Sequence, residues 1–358
     1  MSAAELTPTT LRDEQAQLEA TFLPGAGMLC SSLRHRGEEL LAQNRGVEAY
    51  VERGKTMGIP LLYPWANRLA AFDYTVAGRL VAVPHDTTRV ALDDRGLPIH
   101  GVIGGRMAWE SIDAPGSAAQ VPPSAPDGPE AQAPSSAPGG PAARVPTGAP
   151  GGPEAQAPSS APGGPEAQAL TTLLSWSESC GELFEVFPFR HALRYEARLQ
   201  GGRLEIAVTV HACGEDTVPV AFGFHPYLSL PGTPRERWRV ELPAMRTLVL
   251  DERQIPVGPG EELPSQAFEL AEREFDDGFD AVPAHARFAV EAVGRRLELE
   301  LLEGYPCAQV YAPRPGEFIC FEPMVAPANA LRSGAGLRLL APGESCRARF
   351  AVSCIPVG

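Results

Sequence analysis

The chain has 358 residues, 44% of them hydrophobic and 21% charged, a composition that suits a soluble globular protein with a sizeable core. Thirty Lys and Arg against 44 Asp and Glu leave a net charge of −14, which argues against nucleic acid or an anionic membrane as partner. No stretch approaches the roughly 18 apolar residues of a spanning helix, and the start, MSAAELTPTTLRDEQAQLEA, lacks the basic and apolar segments of a secretory signal. A cytoplasmic protein is the expectation.

In chain order, the first twenty residues and the short piece Gly37–Ala42 read as helical, and residues 1–20 read as an extension ahead of the folded domain. Gly58–Leu69, GIPLLYPWANRL, is an apolar run that closes on Asn67 and Arg68. A buried guanidinium needs partners, and its fork of donors suits carboxylates or vicinal hydroxyls. An internal ion pair and a ligand contact satisfy it equally. Leu97–Val102 places His100 beside Gly101, where an imidazole more often serves structure than chemistry.

From about Ala114 to Ala169 the chain is almost wholly Pro, Gly, Ala, Ser, Gln and Glu, and GPEAQAPSSAPGGP at 128–141 recurs unchanged at 152–165. So few large apolar side chains do not offset the entropy of ordering, which predicts a disordered insertion. Closure entropy grows slowly with loop length. The segment therefore interrupts one domain, 21–113 and 170–358, rather than separating two.

Beyond it the dominant period is two. Leu193, Tyr195, Ala197 and Leu199 alternate with polar residues, as do Leu204, Ile206, Val208 and Val210 after Gly201–Gly202, which predicts a hairpin. Leu297, Leu299 and Leu301, and later Cys346, Ala348, Phe350 and Val352, repeat the pattern. Such alternation with frequent Gly and Pro turns points to an all-β antiparallel sandwich or barrel, not to an α/β fold.

Within these runs sit isolated ionisable residues. His225 lies in VAFGFHPYL, where Pro226 restricts it to extended backbone. Glu322 lies in FICFEPM, and burial there would raise its carboxyl from the usual ~4.3. A buried carboxylate without a neighbouring cation is costly unless it has a task or a partner. Glu274–Asp280 gathers three Asp around Gly278, either a solvated turn or a cation loop, although the EF-hand pattern is absent. The seven cysteines form no CxxC pair and read as free thiols in a reducing compartment, and no Cys or His pair has zinc-ligand spacing. Phosphate loop, nucleophile elbow, HExxH and dinucleotide fingerprint are all missing.

Taken together, GIPLLYPWANRLA, IHG at 99–101, GFHPYL and CFEPMVAPANAL follow the order of the recurring segments of the aldose 1-epimerases, or galactose mutarotases. The chain resembles that family from about Phe22 to Val352 outside the insertion. The resemblance implies a large antiparallel β-sandwich acting on a small-molecule sugar, with no cofactor and no metal. It also implies that Arg68 and His100, with Asn67 alongside, contact sugar hydroxyls, that His225 is the general acid and that Glu322 is the general base. The family's substrate-holding Asp precedes a Phe by three residues, which falls on Asp276, with the adjacent Asp277 leaving the register open.

Ring opening of a hemiacetal removes a proton from the anomeric hydroxyl and delivers one to the ring oxygen, so a carboxylate and an imidazolium on opposite sides of the ring would do both. The open aldehyde then rotates about C1–C2 and recloses on its other face. This requires His225 protonated and Glu322 ionised, which reference values of ~6.5 and ~4.3 make accessible near neutral pH. Two rival readings keep the fold. One is a hexose-6-phosphate 1-epimerase with Arg106 as a phosphate ligand; the other is a carbohydrate-binding or sensing protein without turnover.

Overall fold

The hairpin expected around Gly201–Gly202 is formed by the strands His191–Gln200 and Arg203–His211. The computed structural model describes residues 6–111 and 168–357. The expected insertion therefore lies outside the described residues except at its end. There Gln168 and Ala169 are not insertion but open the strand Gln168–Trp176, paired with Leu199 and Arg198.

That strand belongs to a nine-stranded antiparallel sheet. From Glu110–Ser111 it runs through Gln168–Trp176, His191–Gln200, Arg203–His211, Ser345–Pro356, Arg295–Glu303, Arg287–Ala292 and Arg239–Leu242 to Gln266–Glu269. A second antiparallel sheet has the central order Met245–Leu250, Phe275–Asp280, Cys307–Ala312, Ile319–Met324 and Gly223–Phe224. Both are antiparallel, as the alternation and the Gly/Pro turns required.

The core lies between the two sheets. Phe350 of the first meets Phe224 of the second at 5.0 Å between ring centroids, and Phe288 meets Phe321 at 5.4 Å. Each strand of the second sheet thus turns one set of alternate residues to this core and the other set outward. The outward set carries the site described below.

The helical reading of the N-terminus is overturned. Thr9–Asp13 and Leu18–Leu23 are paired strands, and within 37–42 a two-residue strand, Glu38–Glu39, closes the same small sheet. Ala, Gln, Glu and Leu favour helix locally, but Leu11, Leu18, Ala20 and Phe22 bury one face at period two, and packing outweighs propensity. Helices occur instead at Gly46–Arg53, Glu182–Val186 and Ala330–Ser333. Among the described residues none is long and apolar enough to cross a membrane.

Phe350 is fully buried and touches rings of Phe224 and Tyr305. Phe350→Ala is expected to lower unfolding free energy by about 3–5 kcal/mol in urea titration. A loss under about 1 kcal/mol would contradict its place in the inter-sheet core.

Candidate functional site

Glu322 stands on Ile319–Met324, an entirely buried strand, and is 2% exposed. Its antiparallel partner is Gln309 on Cys307–Ala312, whose next partner is Gly278 on Phe275–Asp280. Directly opposite residues share a face, so Glu322, Gln309, Gly278 and Asp276 all project outward, away from the core. Asp277 falls on the other face, because a one-residue step reverses direction. Its side chain does not line the pocket, whereas that of Asp276 does. Glu274–Asp280 is accordingly strand for most of its length, neither turn nor cation loop.

His225 follows the Gly223–Phe224 strand and is held by its backbone N–H to Pro60 O. Its Nε2 lies 3.2 Å from Glu322 Oε1 and 3.5 Å from Tyr227 Oη, and its ring stacks on Tyr227 at 4.3 Å. Tyr227 in turn bonds Thr56 Oγ1 at 2.6 Å. The His100 ring crosses that of His225 edge-on at 5.5 Å. His225 and Glu322 are therefore neighbours on one wall, not groups on opposite sides of a ligand.

The loop after Leu61–Leu62 supplies the third wall. It is zipped to the His100 strand by Val102 N–H to Tyr63 O, His100 N–H to Asn67 O and Leu69 N–H to Pro98 O. Gly101 permits this approach: a Cβ there would stand 2.1 Å from Tyr63 O, and its φ of +73° suits glycine. His100 and Asn67 also hold left-handed backbone, at φ of 64° and 56°, an uncommon conformation for side-chain-bearing residues. Tyr63 is anchored from below by a hydrogen bond to the buried His191, whose other nitrogen contacts Phe189 O.

Arg68 makes the internal ion pair that was one of its two anticipated roles, and it does so at the pocket wall. Its Nε donates to Asp93 Oδ2 at 2.8 Å, and Nη2 lies 3.5 Å from Asp276 Oδ2 at the pocket wall. Asn67 Oδ1 accepts from the Arg68 backbone N–H and from Nη1. Burial pushes the Asp93 carboxyl up, but bonds from Leu97 N–H and the Arg68 side chain outweigh it and hold the group below its ordinary range. Asp276 Oδ1 accepts from Gln309 Nε2 at 2.8 Å.

These groups line one open pocket of about 230 Å³. Arg106 is exposed and lies outside it, so the expected phosphate contact from that residue is not made; the pocket's other cations are Lys55 and Arg95. Sequence reading missed Gln309, although it interrupts the apolar run CAQVYA much as Glu322 interrupts its own. Asp93 was hidden in a turn-like DDRG, and Tyr227 was passed over as an apolar neighbour of His225.

Burial drives His225 well below its ordinary pKa, reinforced by His100, and drives Glu322 well above its own, reinforced by Asp276 and opposed by Arg68. Desolvation thus disfavours the charged form of both groups, the opposite of what the proton transfers of the expected mechanism ask of them. Burial and the Arg68 charge bring His100 down to about 3. His225 Nδ1, His100 Nδ1 and Glu322 Oε2 are buried without a hydrogen-bond partner in the protein. Among the described residues no group of three or more His, Cys, Asp and Glu is placed to hold a metal, and all seven cysteines are free.

The fold, two antiparallel sheets with a polar pocket on the outer face of the second, is that of the galactose mutarotase-like proteins. The aldose 1-epimerase family model matches residues 159–353, more than half of the chain, and the chain belongs to that family. Solved structures share the fold at low identity. The Slr1438 protein of Synechocystis is 20% identical with a TM-score of 0.67, covering 97% of this chain and 95% of that one. A galactose mutarotase-like protein of Clostridium acetobutylicum is 14% identical with a TM-score of 0.69, covering 98% and 99%. A galactose 1-epimerase of Lactobacillus acidophilus is 14% identical with a TM-score of 0.65, covering 99% and 100%. No curated protein matches the sequence.

His191, fully buried beneath this loop, is brought down to about 3 by burial, partly opposed by its bond to Phe189 O. The unfolded chain binds its proton below ~6.5 and the native state does not, so stability is lost as pH falls from ~6.5 toward 3. Between pH 6.5 and 5 this one group is expected to remove about 2 kcal/mol. Denaturant titrations should show His191→Asn losing that much less than the parent over the interval; an equal loss would show that His191 is not held neutral.

Proposed function

We propose that the protein is an aldose 1-epimerase that interconverts the α and β anomers of free hexoses by acid–base ring opening and reclosure. The observation carrying this reading is the buried contact of His225 Nε2 with Glu322 Oε1 at 3.2 Å. The anomeric oxygen and the ring oxygen of an aldopyranose are bonded to the same carbon, so a base for one and an acid for the other must stand side by side. Glu322 takes the proton of the anomeric hydroxyl while His225 delivers one to the ring oxygen, and reclosure on the other face of the aldehyde reverses both transfers.

The starting state, imidazolium with carboxylate, carries one proton on the pair. The neutral pair carries the same number, so a shift across the contact interconverts them without solvent. Arg68 favours the ionised Glu322, and hydroxyls donating to its unpartnered Oε2 would favour it further. Arg68, His100, Asp276 and Gln309 then hold the sugar's hydroxyls, with Asn67 and Asp93 orienting Arg68. The cavity, below the roughly 300–1,000 Å³ of drug-sized pockets, suits one sugar ring. The shared fold of a galactose 1-epimerase supports the same class of chemistry.

Glu322→Gln is expected to slow polarimetric equilibration of α-glucose or α-galactose by about 10²–10⁴-fold while sugar binding stays measurable by calorimetry. Parent-like rates in that variant would sink the mechanism, and so would an active, merely less thermostable His225→Asn.

A further inference from the structure

The polar row at the pocket floor does not end with His225 and Glu322. Tyr227 lies on the strand Tyr227–Leu228, opposite Cys320 of the strand that carries Glu322. Its backbone is fixed on both sides, the N–H donating to Gly58 O and the carbonyl accepting from Ala42 N–H, each at 2.9 Å. Its ring lies flat on the His225 imidazole, 13° from parallel, and the Phe318 ring meets it edge-on at 5.0 Å. Phenylalanine would serve that packing equally well. A tyrosine only 5% exposed needs a partner for its hydroxyl. This one has two, Thr56 Oγ1 at 2.6 Å and His225 Nε2 at 3.5 Å.

Glu322 Oε1, His225 Nε2, Tyr227 Oη and Thr56 Oγ1 thus stand in one row, at successive separations of 3.2, 3.5 and 2.6 Å. The row starts at a buried carboxyl and ends at Thr56, which is half-buried and lines the pocket. Burial holds the phenol well above its ordinary pKa, reinforced by Cys320 and Glu322 and opposed by the Thr56 bond, so Tyr227 stays a neutral hydroxyl. Each of the two hydroxyls gives one proton and can accept another. The row is therefore satisfied in either direction. A neutral imidazole with its proton on Nδ1 accepts from Tyr227, which accepts from Thr56. An imidazolium donates from Nε2 to Tyr227, which donates to Thr56, whose own proton turns to the pocket. A fixed donor such as an ammonium would serve only the first arrangement.

Building on the epimerase reading, we propose that Tyr227 is a positioning residue for His225, its hydroxyl directed by Thr56 so that it holds Nε2 in both charge states and reverses as the imidazole gives up and regains its proton. Ring opening and reclosure pass His225 through both states. When Glu322 turns to the anomeric hydroxyl, Tyr227 remains beside Nε2 and keeps it aimed. The 3.5 Å contact is long for a hydrogen bond, and such contacts commonly tighten once substrate is bound.

The test measures kcat and KM for equilibration of α-glucose and α-galactose, with the uncatalysed rate subtracted, beside the Tm of each variant. The set is the parent, Tyr227→Phe, Thr56→Val, Thr56→Ser and the double variant Tyr227→Phe/Thr56→Val. Tyr227→Phe keeps the stacked ring and is expected to lower kcat about tenfold, with KM changed by less than about twofold. Thr56→Val should lower kcat by a smaller factor, and Thr56→Ser, which retains a hydroxyl, should recover most of that loss. Because Thr56 acts through Tyr227, the double variant should be no slower than Tyr227→Phe alone. A parent-like kcat in Tyr227→Phe overturns the proposal and leaves the epimerase standing, as does a loss carried by KM or one that matches the unfolded fraction. Losses that multiply in the double variant overturn it too, because Thr56 would then act elsewhere. Should Tyr227→Phe fail to fold, Thr56→Val decides: a kcat loss recovered by serine supports the row, and a parent-like kcat overturns it. Absence of turnover in the parent overturns both this proposal and the epimerase reading.

Discussion

His225 and Glu322 are held 3.2 Å apart in nearly complete burial, and that arrangement sets the terms for everything around it. Desolvation disfavours charge on both groups, while the proposed ring opening needs charge on both. The surroundings act on the two groups differently. Arg68 biases Glu322 toward ionisation, Tyr227 presents a hydroxyl to the same imidazole nitrogen, and His100 stays neutral so that it adds no competing positive charge. An uncompensated ion here would be expensive; a pair that exchanges one proton internally is not.

Holding that pair requires rigid support, and the support is hydrogen-bonded backbone. Glu322 is in the middle of a strand paired on both sides, and Gln309 and Asp276 are delivered to the same face by register alone. Arg68 comes from a loop, and loops are ordinarily mobile, whereas His100 stands on the short strand Pro98–Val102. Here the loop and that strand are laced to each other through Tyr63, Asn67 and Leu69, permitted by Gly101, and the loop is further tied by the bridge of Trp65 to Ala221, just ahead of the Gly223–Phe224 strand. Asn329 adds a further tie, donating its N–H to Arg68 O and accepting from Ala70 N–H.

Much of this was legible in the residue order. Period-two alternation located the hairpin of 191–211 and the strands at 295–303 and 345–356. Isolated polar residues in apolar runs marked His225 and Glu322, since a buried ionisable group stands out against such a background. Gln309 carried the same signal and went unread because an amide does not titrate. The N-terminal strands were misread because intrinsic helix preference is worth only tenths of a kcal/mol per residue and yields to pairing and burial.

The choice between Asp276 and Asp277, the dual engagement of Arg68 and the contact of acid with base belong to a different level. Each depends on which residues lie opposite one another across strands far apart in the chain, and a single-residue shift in register reverses the outcome. By itself the sequence determined that the chain alternates into antiparallel sheets and which ionisable side chains would be desolvated, because periodicity and hydrophobicity are local properties. Only the tertiary structure decided how those side chains meet, because proximity is a property of the folded chain.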